Sequence, residues 1–238
     1  SVLGGDYEVG GAGSILEERN GIMIEGDSAF TSANGVSSGS GILSDPYIIE
    51  NFSINTSKTN GIVIRNTSSH FLIRNCLITG GNDKRSGFSG ISLINVKNGS
   101  VINCDINNNH RGIIGEGSSD TEIKNSTFAG NMYGILFSHN CRNINITDIE
   151  CNNNSGGIRL SHEVSDCHIA NNSFRKNRYS GIVLWDGCSG NTIENNTCSE
   201  SYWGVTPEDI GGSGIYLRSS DNNFIRFNTC SENTGYGI

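Results

Sequence analysis

The sequence predicts an all-β chain wound as a right-handed parallel β-helix, a single-stranded solenoid of about 22–24 residues per coil. Three observations predict it. First, a Gly-Ile pair followed by alternating apolar residues recurs at Gly61-Ile62, Gly90-Ile91, Gly112-Ile113, Gly134-Ile135, Gly157-Ile158, Gly181-Ile182, Gly214-Ile215 and Gly237-Ile238, in steps of 29, 22, 22, 23, 24, 33 and 23 residues. Second, each segment closes on an Asn-rich corner, as in Asn191-Thr-Ile-Glu-Asn-Asn-Thr-Cys198 and, one coil later, Asn223-Phe-Ile-Arg-Phe-Asn-Thr-Cys230. Third, the chain has 32 Gly and only 2 Pro, a balance that favours unbroken backbone pairing.

Each short strand alternates apolar and polar residues and cannot bury a face alone. Stacked at about 4.8 Å, successive strands share one core. An α-helical reading fails because the apolar period is two, and Gly and Asn interrupt it too often. Asn suits the corners because it tolerates the left-handed conformation and its amide can ladder with an Asn above and below. About 22 residues make one coil, so the two long intervals are one coil plus an insertion. Of the eight cysteines, Cys151, Cys198 and Cys230 share nearly one column and Cys76 and Cys104 another, as expected for buried thiols. Parallel side chains on neighbouring coils rarely give the torsion of a disulfide.

Composition narrows the function classes. A formal charge of −8 argues against nucleic acid, which needs a basic face. No run of eighteen apolar residues exists to span a membrane, and no CxxC pair marks a zinc ribbon. Residues 1–40 read as an N-terminal capping segment with the first irregular strands, and 41–238 as the β-helix. Because the sequence stops at Gly237-Ile238, as a coil begins, further coils or domains of a longer parent chain are expected.

The stretch from Phe30 to Asn51 contains Asn34-Gly-Val36 and Asp45-Pro-Tyr-Ile-Ile-Glu50. It resembles the opening of archaeal surface β-helix proteins of the NosD-like, carbohydrate-binding and sugar-hydrolase type. The resemblance runs from about Ile22 onward. It implies a polysaccharide partner and an extracellular or cell-surface location, and through disaggregatase-related proteins a matrix polymer. It implies no single activity, since that group spans lyases, epimerases, hydrolases and modules without chemistry. The copper role attached to the NosD name does not carry over, for no Met/His/Cys cluster marks a copper site.

Chemistry is sought by reading outward positions down the stack. Five residues after each Gly lie Asn66, Asn95, Gly117, His139, His162, Asp186 and Ser219. His139, His162 and Asp186 fall on consecutive coils and are the leading catalytic candidates, with Arg159 and Arg218 beside them. Candidate substrate-binding residues on the same face are Glu116, Arg111, Tyr133, Arg178, Tyr179, Trp185, Trp203 and Tyr216. Arg can hold a uronate carboxylate bidentately, and aromatic faces accept sugar rings. His or Tyr beside a neutralised carboxylate could abstract the C5 proton, the first step of a lyase or epimerase. Glu116 and Asp186 lie three coils apart, about 14 Å, too far for paired acid–base hydrolysis.

The insertions at 80–89 and 202–213 precede Gly-Ile strands at one edge and would wall this groove. No cofactor is predicted. A metal at His139, His162 and Asp186 has suitable ligand types, whereas calcium lacks a tight Asp/Glu cluster. Nine Asn-x-Ser/Thr sequons are consistent with a glycosylated surface protein, but an Asn/Ser/Thr-rich repeat also generates them by composition. Three readings follow: an enzyme acting on an acidic polysaccharide, a binding module using the same groove, and a structural spacer in which the polar columns are only solvated surface.

Overall fold

The computed structural model describes residues 16–80, 87–203 and 211–238. Three parallel sheets line the solenoid, and the chain visits them in a fixed order, in the right-handed sense. Among the described residues, the first face has nine strands, from Glu17–Arg19 to Thr229–Ser231. The second has eight, from Ile22–Glu25 to Ser213–Arg218, and the third has eight, from Tyr47–Glu50 to Phe224–Arg226. Helical structure among the described residues is limited to two 3-10 turns, Asp27–Ala29 and Ser32–Asn34.

The Gly-Ile repeat is the register of the second face. Ile62, Ile91, Ile113, Ile135, Ile158, Ile182 and Ile215 pair rung to rung and are all buried. Two residues on, the inward column runs Ile64, Leu93, Gly115, Phe137, Leu160, Leu184 and Leu217. Gly115 is small for a packing reason: a Cβ there would sit 2.2 Å from the Phe137 ring, which fills that space from the next rung. Each fully buried Ile or Phe contributes about 1.5–3 kcal/mol, and stacking lets every rung share this gain with its neighbours.

The two properties expected of corner Asn divide between different residues. Asn108, Asn153, Asn171 and Asn195 adopt positive φ of 54–59° and point outward. The residue that follows each one turns inward: Asn109, Asn154, Asn172 and Asn196 are buried and are not left-handed. In this inner ladder, Asn109 N–H donates to Asn131 Oδ1, Asn131 N–H to Asn154 Oδ1 and Asn154 N–H to Asn177 Oδ1, at 2.8–3.0 Å. The Asn-Asn dipeptide therefore encodes a bend followed by a buried hydrogen-bonding plug.

Cysteines fill the same inward positions. Cys198 pairs with Cys230 across one rung, while Phe128 and Phe174 flank Cys151 in the first-face column. All eight are free thiols, buried except for the half-buried Cys230. Burial pushes the Cys167 thiol up to about 12 and Cys151 higher still.

The first rung starts earlier than the sequence suggests. Glu17–Arg19 and Ile22–Glu25 already pair in regular parallel register with Phe52–Ile54 and Ile62–Arg65. Between the second and third strands, the segment 26–46 closes this end of the core with Phe30 and Val36. Phe30 stacks on Tyr47 at 4.4 Å. Gly39 is required there: its φ is 99° and a Cβ would strike the Pro46 carbonyl. Residues 1–15 of the expected capping segment lie outside the described residues.

Candidate functional site

The second face carries the outward columns read from the sequence. Two residues after each Gly, the register runs Val63, Ser92, Ile114, Leu136, Arg159, Val183, Tyr216. Four after, it runs Arg65, Ile94, Glu116, Ser138, Ser161, Trp185, Arg218. Val63 and Val183 are buried although they point outward, whereas Ile114 and Leu136 remain partly open.

At mid-stack the side chains enclose a shallow depression of about 240 Å³. Ile114 and Leu136 form its floor. Arg111 and Tyr133, paired in register, line it before the glycines, Arg159 continues the Ile114–Leu136 column, and Glu116, Ser138, Ser161, His139 and His162 line it at the far end of the strands. The Nε of Arg111 is buried without a hydrogen-bond partner among the described residues. Glu116 opposes an anion but suits sugar hydroxyls. The nearly buried Ser138 and Ser161 were not anticipated, although both lie in the four-after column.

His139, His162 and Asp186 sit together, at a position first of all architectural. Their φ values are 56°, 59° and 63°, in the same left-handed corner column as Asn66, Asn95 and Ser219. Asn, Asp and His are the non-glycine residues most tolerant of that conformation, so residue choice here has a backbone reason as well as a chemical one. The two imidazoles stack in parallel at 4.9 Å. Ser138 Oγ lies 2.9 Å from His139 Nδ1, and His162 Nε2 is 3.7 Å from Asp186 Oδ2. Asp186 lies one rung beyond the depression and does not line it. No group of three or more His, Cys, Asp or Glu is arranged to hold a metal among the described residues.

Two further clusters continue along the face. Trp185 was expected to offer its face to sugar, yet guanidiniums cover it from the rungs on either side. The Arg159 carbon lies 5.0 Å and the Arg218 carbon 4.4 Å from its ring centroid. Tyr216 lies 6.4 Å away, tilted. At the edge toward the first face, Arg178 rests 3.6 Å over Trp203, and Tyr179 meets that indole edge-on at 5.7 Å. The central parts of the two insertions expected to wall the groove, 81–86 and 204–210, lie outside the described residues.

Ion pairing is unevenly shared among the faces. Arg74, Lys124, Arg175, Lys176 and Arg226, on the first and third faces and their corners, each meet a carboxylate: Glu50, Asp148, Glu200, Glu200 and Glu194. On the second face and its edge, Arg65, Arg111, Arg159, Arg178 and Arg218 form no ion pair among the described residues. Arg19 on the first face and Arg142 on the third also form none, so in a chain of net charge −8 unpaired guanidiniums are most numerous on the second face without being confined to it.

This architecture defines a class, the parallel β-helix with a polar, arginine-bearing face. The family model for the right-handed β-helix region matches residues 14–198, and the chain belongs to that family. No curated protein sequence matches it. Among solved structures, it is similar to an alginate lyase from Paenibacillus sp. (TM-score 0.65, 13% identity, 88% of this chain and 75% of that one). It is also similar to a double mutant of the periplasmic alginate epimerase AlgG (0.60, 20%, 76% and 48%). A third is an exopolygalacturonase from Thermotoga maritima (0.59, 12%, 76% and 48%). The chain spans about half the length of the latter two. At these identities the likeness shows the fold. No described helix is long and apolar enough to cross a membrane.

Proposed function

We propose that this protein binds an acidic, uronate-containing polysaccharide along its second face. The observation that carries the reading is the set of five arginines on that face and its edge, none in an ion pair among the described residues of an acidic protein. Leaving guanidinium unpaired costs little in water and preserves donors for a ligand carboxylate. Similarity in fold to proteins named for alginate and polygalacturonate points to the same polymer class. An extracellular or cell-surface location accompanies this reading, as does a matrix polymer as substrate.

Chemistry at the depression is the second reading, favoured by Tyr133, His139, Arg111 and Arg159 all lining it, with Arg111 paired to Tyr133 in the register. A guanidinium neutralising the uronate carboxylate would acidify C5–H. One of Tyr133 and His139 would take that proton as base, and the C4 oxygen would leave as the other group or water protonates it, giving the C4–C5 unsaturated product.

The test incubates the protein with uronate-containing and neutral polysaccharides, following ultraviolet absorbance, reducing ends and melting temperature. A rise in absorbance with reducing ends identifies a lyase, and reducing ends alone identify a hydrolase. A thermal shift on uronate polymers without products leaves a binding module. A shift on neutral polymers only, or silence throughout, overturns the acidic-polysaccharide reading.

A further inference from the structure

We infer that Arg159, Trp185 and Arg218 form a charge ruler that selects polymers bearing acidic groups on every second sugar along one side. The inference rests on the acidic-polysaccharide reading above and adds a spacing to it.

Arg159, Trp185 and Arg218 occupy three successive rungs: Arg159 pairs with Val183 and Trp185 with Arg218 in the second-face register. Arg159 and Arg218 start from different columns, two and four residues after their glycines. Both guanidiniums nevertheless converge on one indole ring, at 5.0 and 4.4 Å from its centroid. They approach the ring from the preceding and the following rung, one on each side of Trp185 along the stack. Their distances to that shared centroid limit the separation to about 9.4 Å at most, close to two strand spacings. The indole holds that distance, since neither group can approach the other through the ring.

Stacking also decides what the guanidiniums offer. A guanidinium lying on an aromatic ring is held by its face, while its N–H donors remain in its own plane and free. Neither Arg159 nor Arg218 spends those donors on a carboxylate of this chain among the described residues. Two carboxylate forks are thus fixed at one spacing. In an extended 1,4-diequatorial chain each pyranose advances by about one strand spacing, and alternate rings present their carboxylates on the same side. A polymer along the axis would place carboxylates of rings one and three on Arg159 and Arg218, with ring two over the indole edge.

The experiment uses synthetic β-1,4-linked trimannuronates and titration calorimetry at low salt. One trimer is fully charged, a second has only its middle carboxyl reduced to the neutral alcohol, and a third has only one terminal carboxyl reduced. The ruler expects the first two to bind within about twofold of each other and the third about tenfold more weakly. Trp185→Leu, which leaves both arginines in place, is expected to erase that difference. Arg218→Gln should weaken the first two trimers about tenfold and the third little. Equal binding of the second and third trimers by the wild-type protein overturns the ruler while leaving polymer binding intact. So does undiminished selectivity in Trp185→Leu. Binding of no charged trimer or polymer overturns the ruler and the functional reading together.

Discussion

The side-chain carbonyl of Asn154 accepts the backbone N–H of Asn131 from the preceding rung at 2.8 Å. Asn154 is 2% exposed, and its Nδ2 donates to the Phe128 carbonyl at 2.9 Å. One side chain thus satisfies two backbone groups of the preceding rung, one of them in the first-face strand Thr127–Ala129. Substitution Asn154→Ala leaves a buried donor and a buried acceptor unpaired, each worth about 1–3 kcal/mol. The variant is expected to lose about 2–5 kcal/mol in chemical denaturation. The outward, left-handed Asn153→Gly should stay within about 0.5 kcal/mol.

The His139–His162 column separates architecture from chemistry. At φ near 59°, His162→Val places a β-branched residue in the left-handed region and is expected to cost about 1–2 kcal/mol. His162→Asn, the residue type found at Asn66 and Asn95 in the same column, should unfold with the wild type. If the depression is catalytic, His139→Asn should remove turnover without moving the melting temperature. Retained turnover in His139→Asn would leave Tyr133 as the base to test.

Acid stability has a named contributor on the third face. Glu194 accepts from His168 Nε2 at 3.0 Å and from Arg226 Nε at 2.6 Å. The His168 hydrogen bond, then that of Arg226, holds its carboxyl below the ordinary value near 4.5. A carboxyl lowered on folding stabilises above its unfolded pKa, and that stability is lost as pH falls through the folded one. Melting temperature should therefore fall on acidification below about 4.5, and Glu194→Gln should show a shallower fall across that window. Parallel curves would remove Glu194 from the account.

Thiol labelling should follow burial. Desolvation raises Cys151 and Cys167, whereas a hydrogen bond from Cys198 lowers Cys230, the only half-buried thiol of the eight. At pH 8 a thiol reagent is expected to modify one cysteine per native chain rapidly and the other seven only on unfolding. Cys230→Ser should remove the fast phase.

The site was legible in part, and for a definite reason. Outward columns follow from strand alternation and a constant coil length, so Arg111, Glu116, Tyr133, Arg159 and His162 could be placed on one face by counting. What each side chain touches could not. Counting from Gly181 finds Trp185 but not that guanidiniums from two rungs cover its ring.

By itself, the amino-acid order determined the coil, its register and the face on which polar residues accumulate. Those are properties of a period, and each rung repeats the rule locally through Gly-Ile, alternation and a left-handed corner residue. Tertiary structure alone decided which Asn bend and which plug, where outward apolar residues are covered, and which arginines stay unpaired. These depend on side-chain direction across rungs some 22–33 residues apart in sequence, where neighbours are chosen by stacking and not by proximity along the chain.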